Sequence, residues 1–534
     1  MILSAIDWAL IIGFFIISLT IGIAVARQSG KDAKSFFLSG RNMPWWLLGV
    51  SMVATTFAAD TPNFVAGVIR QDGVYGNWIW WSFLLTGMLT VFFYARLWRR
   101  SGITTDLEFY ELRYSGTSAA FLRGFRAIYL GVFFNIVIMA NVCLAAIKIG
   151  HVMFGFSESE TLIVASIITV LYSMLGGLRG VLLTDFIQFI IAMVGSIWAT
   201  VYIVNIPEIG VWYPGAEPGG GGYIAQRMLA AKDEKHATGA TLFFNIAHYA
   251  LRPWPWIIIG LASLIVFPNL ESLQAAFPNL SSSYVKDDLS YPAMLTYLPA
   301  GLLGLVITSL IAAFMSTIST HLNWGSSYVV NDFYARFVKP KASGKEQVLV
   351  GRISTVIMMV LAGCLALILE EARDAFNLLL QIGAGTGLLF IMRWFWYRIN
   401  PFSEITAMAV SFLIAVFFFI NGKLETPIVE LASHWQLVFG VVVTTIAWVA
   451  VSLLTKPSNA KTIAHYEDTV FKGDSKFHNF GYKIVAFFAS IIGVYNLLFT
   501  TGFFIYGDFI YACISLAVVI LCGWIIWTFW KKVV

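Results

Sequence analysis

The chain has 534 residues, of which 59% are hydrophobic and only 12% are charged. Ordinary soluble domains contain about 45–50% apolar and about 25% charged residues, so this composition excludes a water-soluble fold and predicts a polytopic membrane protein. The formal net charge of +5 comes from basic residues spread among short loops, which argues against a nucleic-acid partner. The four cysteines lie in apolar stretches without CxxC spacing, so neither a disulfide framework nor a zinc site is indicated.

Apolar stretches long enough to cross a bilayer predict fourteen helices. In chain order they run approximately over residues 5–26, 45–69, 77–98, 121–150, 159–176, 180–205, 240–267, 297–330, 348–370, 375–395, 404–420, 435–455, 480–498 and 508–530. The first stretch has no small-residue cleavage site, so we interpret it as a retained span rather than a signal peptide.

Lysine and arginine concentrate in alternate loops, chiefly residues 27–41, 96–126, 227–235, 336–352 and 456–483. Cytoplasmic loops of membrane proteins are rich in basic residues. We therefore expect a multi-pass protein of the cell membrane (plasma or inner membrane) with its N-terminus outside and its C-terminus in the cytoplasm. The same pattern requires one more crossing, between the span 180–205 and the basic loop 227–235.

The segment that would supply this crossing, residues 205–222, is rich in proline and glycine and has no helical apolar run. Either it forms a re-entrant break that is shielded by protein, or the sequence lacks residues near Gly210 and Val211. The absence of an apolar run favours the second interpretation.

Interruptions with an acidic residue occur at two places: residues 58–63, which include Asp60 and Thr61, and residues 214–222, which include Glu217. Glycine and proline are common in membrane helices in general, but intramembrane carboxylates are costly and usually functional. In transporters with inverted repeats, solute and ions bind where two corresponding helices are broken near the bilayer centre. We therefore interpret both interruptions as parts of a transport site.

Three stretches carry a family resemblance: residues 172–180 (YSMLGGLRG) followed by Thr184 and Asp185, residues 226–232 (QRMLAAK), and residues 312–323 (AAFMSTISTHLN). Over roughly residues 5–400, the chain resembles the solute:sodium symporter family, which includes sodium-coupled glucose, proline and sialic acid carriers. The resemblance implies an all-α polytopic fold with a five-plus-five inverted-repeat core of the leucine-transporter type, one extra N-terminal helix and about four extra C-terminal helices.

The resemblance also implies a division of the chain. Residues 1–40 would form the extra N-terminal helix and a cytoplasmic loop, and residues 41–400 the transport core. Within the core, the first repeat would cover about 41–210 and the second about 211–400. Residues 401–534 would form the C-terminal helices.

Ala313, Ser316 and Thr317 stand at positions i, i+3 and i+4, so a helix places one carbonyl and two hydroxyls on one face. Such oxygens suit a hard cation such as sodium. Hydroxyls in membrane helices also bond back to the i−4 carbonyl or join helices, and the spacing alone does not separate these roles. The resemblance implies a first sodium site in which these three residues join the carbonyls of Ala54 and Phe57.

The resemblance implies a second sodium site, present in only some members of the family, that would use Asp185, Ser316, Ser319 and Thr320. Asp185 has a plain alternative role, an ion pair that holds a helix end. We therefore expect one or two sodium ions as bound coupling ions.

Seven residues are candidates for contact with the solute: Asp60, Thr61, Glu217, Asn245, His248, Arg252 and Gln381. Asn245, His248 and Arg252 lie on one face of the span 240–267, which indicates a cavity or a helix contact. Arg252 is equally explained as a structural ion pair with Glu217 or Asp60. Neutral hydrogen-bonding groups mixed with both signs of charge favour a sugar or polyol, although an amino acid or organic acid also fits.

These observations predict sodium-coupled secondary active symport of a small polar solute by alternating access. A symporter-like sensor and a channel are the alternatives from other classes. An enzyme is not expected, because His248 and His321, the two clearly intramembrane histidines, each lack a second histidine three or four residues away. The expected partners are a small-molecule solute and the lipid bilayer, while the sequence leaves the oligomeric state and the identity of the solute open.

Overall fold

The computed structural model describes residues 3–29, 33–205, 222–369, 383–421, 424 and 426–533. Within these ranges the regular secondary structure is helical, and an isolated bridge pairs Met43 with Ala231. Eleven helices in the described ranges are long and apolar enough to cross a membrane. They are Ala5–Val25, Val74–Ser101, Thr117–Phe154, Gly177–Val204, Glu234–Val266, Leu302–Val338, Gly344–Ala366, Pro401–Phe418, His434–Leu454, Phe480–Ile505 and Phe509–Val533.

Shorter helices lie between these spans along the chain. They are Ala33–Leu38, Trp45–Thr56, Asp60–Asp72, Phe109–Arg113, Gly222–Ala230, Leu270–Ala276, Ser290–Leu295, Thr386–Met392 and Ala460–Phe471. Of the span predicted at 375–395, residues 375–382 lie outside the described residues. The described part of that span is helical over Thr386–Met392.

The span predicted at 45–69 is broken, as the sequence indicates. The helix Trp45–Thr56 ends and the helix Asp60–Asp72 begins after residues 57–59. Phe57 has non-helical backbone angles, and its N–H donates to the carbonyls of Val53 and Ala54 at 3.0 and 3.1 Å. We call these two helices the broken span.

The spans predicted at 159–176 and 180–205 lie within the element Glu158–Val204, whose two helical parts are separated by the non-helical residue Gly177; the whole element is here called the kinked helix. Gly177 has a φ angle of 52°, a conformation that only glycine adopts readily. A Cβ atom at this position would also lie 2.9 Å from the carbonyl oxygen of Phe36. The glycine pair in the first family motif therefore forms the bend between the two predicted spans. A sharp bend at Gly177 replaces the loop that was predicted at Arg179.

The second predicted interruption falls mostly on residues 206–221, which lie outside the described residues. The question of missing residues near Gly210 and Val211 falls there too. The chain is described again from the helix Gly222–Ala230, here called the half-helix.

The helix Leu302–Ser327, here called the central helix, belongs to the most deeply buried of the eleven spans. It packs against the kinked helix, the broken span and the N-terminal helix Ala5–Ser29. Protein therefore surrounds it, and its many serine and threonine hydroxyls meet other helices rather than lipid.

Asp7 of the N-terminal helix caps the start of the central helix. Its Oδ1 atom accepts hydrogen bonds from the N–H groups of Gly301 and Gly304 at 2.7 and 2.8 Å, and its Oδ2 atom accepts from Ser4. The first N–H groups of a helix have no partner within the helix, and a carboxylate there satisfies them and interacts favourably with the helix dipole. Asp7 thus ties the extra N-terminal helix to the helix that carries the predicted sodium ligands.

Replacing Asp7 with alanine is expected to lower the free energy of unfolding by about 1–2 kcal/mol, because the N–H groups of Gly301 and Gly304 lose their acceptor. The measurement is thermal unfolding of the purified protein in detergent. Asp468→Ala removes an exposed aspartate and serves as the control. Equal melting temperatures for the two variants would show that the cap adds nothing.

Candidate cation and solute site

A cavity of about 1250 Å³ lies beside the gap in the broken span. Four of the predicted site residues line it, namely Asp60, Thr61, His248 and Thr317. Thr55, Thr56 and Asn141 add further polar groups, and Phe64, Phe83 and Trp394 are among the aromatic groups on its walls. A largely apolar cavity with a few convergent polar groups is the usual form of a small-molecule site.

The two predicted sodium ligands with hydroxyl groups reach across to other helices. The hydroxyl of Thr317 donates to the carbonyl of Thr55 at 2.9 Å, and the hydroxyl of Ser316 donates to Asp185 at 2.6 Å. Neither of these hydrogen bonds runs back along the central helix. Ser319 behaves in the opposite way, because its hydroxyl donates to the carbonyl of Ser316 in the preceding turn at 3.1 Å.

The elements of the predicted first sodium site therefore lie next to each other. Thr317 joins the central helix to the last turn of the first helix of the broken span, where Ala54 and Phe57 are buried. Ala313 is buried one turn before Thr317 on the central helix. The first helix of the broken span ends at Phe57, whose backbone angles are not helical, and broken helices supply carbonyl groups to cations in transporters with inverted repeats. The ligand set itself stays a prediction.

The carboxylate of Asp185 lies on the kinked helix and is fully buried. It accepts hydrogen bonds from Ser316 and from Ser51 of the broken span. The guanidinium of Arg227, on the half-helix, approaches the same carboxylate to 3.5 Å. Arg227 also donates to Thr320 at 2.8 Å, so Arg227 contacts two of the four residues predicted for the second sodium site, Asp185 and Thr320.

Sequence reasoning missed Arg227 at this site and counted it with the basic cytoplasmic loop 227–235. In the structure its side chain is fully buried within the half-helix. Its place in the second family motif, a few residues after a predicted helix break, is the signal that could have identified it. Ser51 and Thr55 were also missed, because their contacts with Asp185 and Thr317 join residues far apart in the chain.

Asp60 and His248 line the cavity and each has one buried polar atom without a hydrogen-bond partner among the described residues. Asp60 Oδ2 accepts a hydrogen bond from Asn141 at 2.8 Å, and Asp60 Oδ1 has no hydrogen-bond partner among the described residues. His248 Nδ1 lies 3.0 Å from the hydroxyl of Thr56, and its Nε2 also lacks a partner among the described residues. His248 belongs to a π-helical segment, Ala247–Leu251, and such segments are frequent at functional sites.

Arg252 and Asn245 are not among the residues that line the cavity. Arg252 donates to the carbonyl of Val53 and the hydroxyl of Thr56, both at 2.9 Å, which places its positive charge at the C-terminal end of the first helix of the broken span. Asn245 donates to the carbonyl of Thr241 at 2.8 Å, and its side chain packs against Gly87. Of this predicted polar stripe, His248 therefore faces the cavity. Glu217 and Gln381 lie outside the described residues.

The family model of the Sodium:solute symporter family matches residues 36–217 and 219–411. The chain belongs to the sodium:solute symporter family. The symporter is 24% identical over 536 residues to the sodium/glucose cotransporter of Vibrio parahaemolyticus, with 90% of this chain and 97% of that protein covered. It is also 24% identical over 550 residues to sodium/myo-inositol cotransporter 2 of Oryctolagus cuniculus, with 86% of this chain and 78% of that protein covered.

Among solved structures, the symporter is similar to the substrate-bound, outward-open state of a Na⁺-coupled sialic acid symporter. The TM-score is 0.67 at 21% sequence identity, and the match covers 85% of this chain and 99% of that chain. The predicted family and the predicted all-α, five-plus-five inverted-repeat fold are confirmed. The protein is accordingly a multi-pass sodium-coupled solute symporter and not an enzyme.

Proposed function

We propose that this symporter carries a sugar or polyol together with sodium by alternating access, with the solute bound in the cavity beside the broken span. The observation that supports this most is that Asp60 and His248 line one cavity with Thr317, and that each holds a buried polar atom, Asp60 Oδ1 and His248 Nε2, without a hydrogen-bond partner among the described residues. Buried polar groups usually have hydrogen-bond partners, so a pair without one fits a site that the hydroxyl groups of a solute complete.

The charges that line the cavity support a neutral solute, because Arg393, the cation among its described lining residues, already pairs with Glu404 at 3.3 Å. Asp60 brings a carboxylate to the cavity, and a second carboxylate on an organic acid would be repelled by it in a medium of low dielectric constant. A hydroxyl group instead donates to a carboxylate in a charge-assisted hydrogen bond. The names of the relatives, which are sodium/glucose and sodium/myo-inositol cotransporters, point to the same class of solute. An amino acid, whose ammonium group can pair with Asp60, is the main alternative.

Sodium bound by Ala54, Phe57, Ala313, Ser316 and Thr317 would bridge the broken span to the central helix. The hydrogen bond from Thr317 to the carbonyl of Thr55 supports this role, because the two elements already meet at that point. In the proposed cycle, the bridge favours the outward-open state that admits solute. By linkage, sodium then raises the affinity for solute by the same factor that solute raises the affinity for sodium.

Ion pairs support the proposed orientation, because they join loops that the basic residues place in the cytoplasm. Arg100 pairs with Glu234 at 3.0 Å and with Asp474 at 2.8 Å. Arg336 pairs with Glu111 at 2.7 Å. These contacts bring four of the predicted cytoplasmic loops to one side of the protein.

Contacts between the loops expected outside form a separate group. Arg70 pairs with Asp287 at 2.8 Å, and Lys148 pairs with Asp288 at 2.6 Å. The N-terminal Asp7 meets the loop that leads into the central helix on the same side. We therefore include an external N-terminus and a cytoplasmic C-terminus in the proposal. The domain boundaries near residues 40 and 400 also belong to it.

The proposal is tested by uptake into vesicles that contain the purified protein. A screen of sugars, polyols, amino acids and carboxylates by thermal unfolding, with sodium or with potassium, first identifies the solute. A bound solute at about 100 times its dissociation constant stabilises the folded state by about 2.7 kcal/mol. We expect this stabilisation for a sugar or polyol in sodium, and accumulation of that solute under an inward sodium gradient.

Uptake that is equal in sodium and potassium would contradict sodium coupling. Stabilisation by an amino acid or a carboxylate, with none by sugars or polyols, would contradict the proposed solute. Sodium flux without saturable solute uptake would favour a channel.

A further inference from the structure

A second, smaller cavity of about 240 Å³ lies where the span Val74–Ser101 ends and the span Phe480–Ile505 begins. Among the described residues, one carboxylate, that of Asp474, lines it together with four basic side chains. These four are Arg96, Arg100, Lys476 and Lys483. We call this cavity the basic pocket. The proposed orientation places it at the cytoplasmic surface of the membrane.

The two arginines of the basic pocket share their carboxylate partners. Glu234 and Asp474 each pair with both Arg96 and Arg100, at distances between 2.7 and 3.1 Å. Lys472 lies 3.7 Å from Glu234 as well. Three cations thus share two carboxylates.

The two lysines of the basic pocket add a further excess of positive charge. Lys476 pairs with Glu467 at 2.5 Å, whereas Lys483 forms no ion pair with any described residue. Lys483 also lies near the N-terminal end of its helix, where the helix dipole disfavours a cation. Five cations in and around the basic pocket therefore meet three described carboxylates, and the chemistry that would balance them is an anion.

Aromatic rings form the apolar side of the basic pocket. The rings of Phe395 and Phe477 are stacked with their centroids 6.0 Å apart, and those of Phe93 and Phe480 lie 5.8 Å apart. Phe477 is 61% exposed and Phe480 is 45% exposed. Exposed aromatic rings beside basic side chains are typical of a surface that lies at the membrane interface. We call Phe477 and Phe480 the aromatic edge.

We propose that the basic pocket binds the phosphate headgroup of an anionic phospholipid, whose acyl chains lie along the aromatic edge. Sites for whole drug-sized ligands measure about 300–1,000 Å³, so a headgroup fits this smaller cavity and a complete lipid does not. Basic pockets between transmembrane helices on the cytoplasmic side suit such headgroups. A soluble phosphate would balance the charges but would leave the aromatic edge uncovered.

The bound headgroup would lie directly behind the wall of the solute cavity. Leu89, Tyr94 and Ile391 line both cavities. The lipid would hold the span Val74–Ser101, which contributes to that wall, against the span Phe480–Ile505. Binding of the lipid needs neither sodium nor solute, so its failure would leave the proposed symport untouched.

Three variants separate the unpaired charge from the rest of the basic loop. Lys483→Gln removes this charge and leaves the ion pairs of the two arginines in place. Lys483→Arg keeps the charge. Lys461→Gln is the matched control, because Lys461 is exposed in the same basic loop but does not line the basic pocket.

The measurement is the binding of spin-labelled phosphatidylglycerol and phosphatidylcholine to the purified protein in nanodiscs of phosphatidylcholine. Each basic residue near an anionic lipid strengthens binding about fivefold, so the two excess charges predict a preference of roughly 25-fold for phosphatidylglycerol. Lys483→Gln should lower this preference about fivefold, and Lys483→Arg and Lys461→Gln should keep it. Phosphatidylglycerol should also raise the melting temperature of the natural chain more than that of Lys483→Gln.

Equal binding of the two lipids by the natural chain would overturn the proposed site, and this result needs no variant that has to fold. Equal preferences in Lys483→Gln and Lys461→Gln would also overturn it, since the charge of the pocket would then have no special effect. Soluble glycerol phosphate forms the third arm. If it binds as tightly as phosphatidylglycerol, the pocket holds a soluble phosphate and not a lipid.

Discussion

Replacing Ser316 and Thr317 together with alanine is expected to raise the sodium concentration for half-maximal uptake by roughly 30- to 150-fold. The two hydroxyls reach from the central helix to the kinked helix and to the broken span, where the first sodium site is proposed. Loss of each hydroxyl removes a polar interaction of about 1–1.5 kcal/mol. Together this gives about 2–3 kcal/mol, and every 1.4 kcal/mol is a tenfold change in affinity.

The matched control for this prediction is the pair Ser326→Ala and Ser327→Ala on the same helix. These two side chains are equally buried, but their hydroxyls donate to carbonyls of the preceding turn, at 3.1 and 2.7 Å, and not to other helices. The control protein should keep its sodium dependence. If both double variants respond to sodium alike, the hydroxyls of Ser316 and Thr317 act only in helix packing.

Local sequence patterns predicted the helices of this fold and the first break. Length and apolar composition identified the spans, and Asp60 beside a proline marked the interruption. The same reasoning separated residues 159–176 from 180–205 at a glycine pair and Arg179, and it expected a loop between them. A bend at Gly177 achieves the change of direction without a loop, since glycine adopts the positive φ angle that the bend requires.

The site was predicted less completely than the fold, for a geometric reason. Periodicity indicates which residues share a helix face, but it does not indicate what that face meets. It placed Asn245, His248 and Arg252 together, yet only His248 lines the cavity. Arg252 instead satisfies the carbonyl of Val53 at the end of a helix.

Arg227 illustrates the same limit for charged residues. An arginine near other basic residues is normally assigned to a cytoplasmic loop, and its burial depends on a carboxylate 42 positions earlier in the chain. The family resemblance identified the motif that contains Arg227, but it did not indicate that Arg227 contacts Asp185. Its position became clear only when the kinked helix, the central helix and the half-helix were seen together.

The second large effect is expected for Asp60→Asn, which should raise the KM for solute by roughly 10- to 150-fold. A hydrogen bond to a charged group contributes about 1.5–3 kcal/mol, and the neutral amide loses the charge that strengthens the bond to a solute hydroxyl. The shape of the side chain is kept, and its oxygen can still accept a hydrogen bond from Asn141. The measurement is the solute dependence of uptake at saturating sodium.

A purely structural role for Asp60 would give a different result. Asp60 Oδ1 has no hydrogen-bond partner among the described residues, so the solute-free protein gains or keeps stability when this buried charge is removed. Asp60→Asn should therefore unfold at an equal or higher temperature without solute but lose most of the stabilisation by solute. Thr86→Val serves as the control, because Thr86 also lines the cavity but its hydroxyl donates to the carbonyl of Phe83. An unchanged KM in Asp60→Asn would place the solute elsewhere in the cavity.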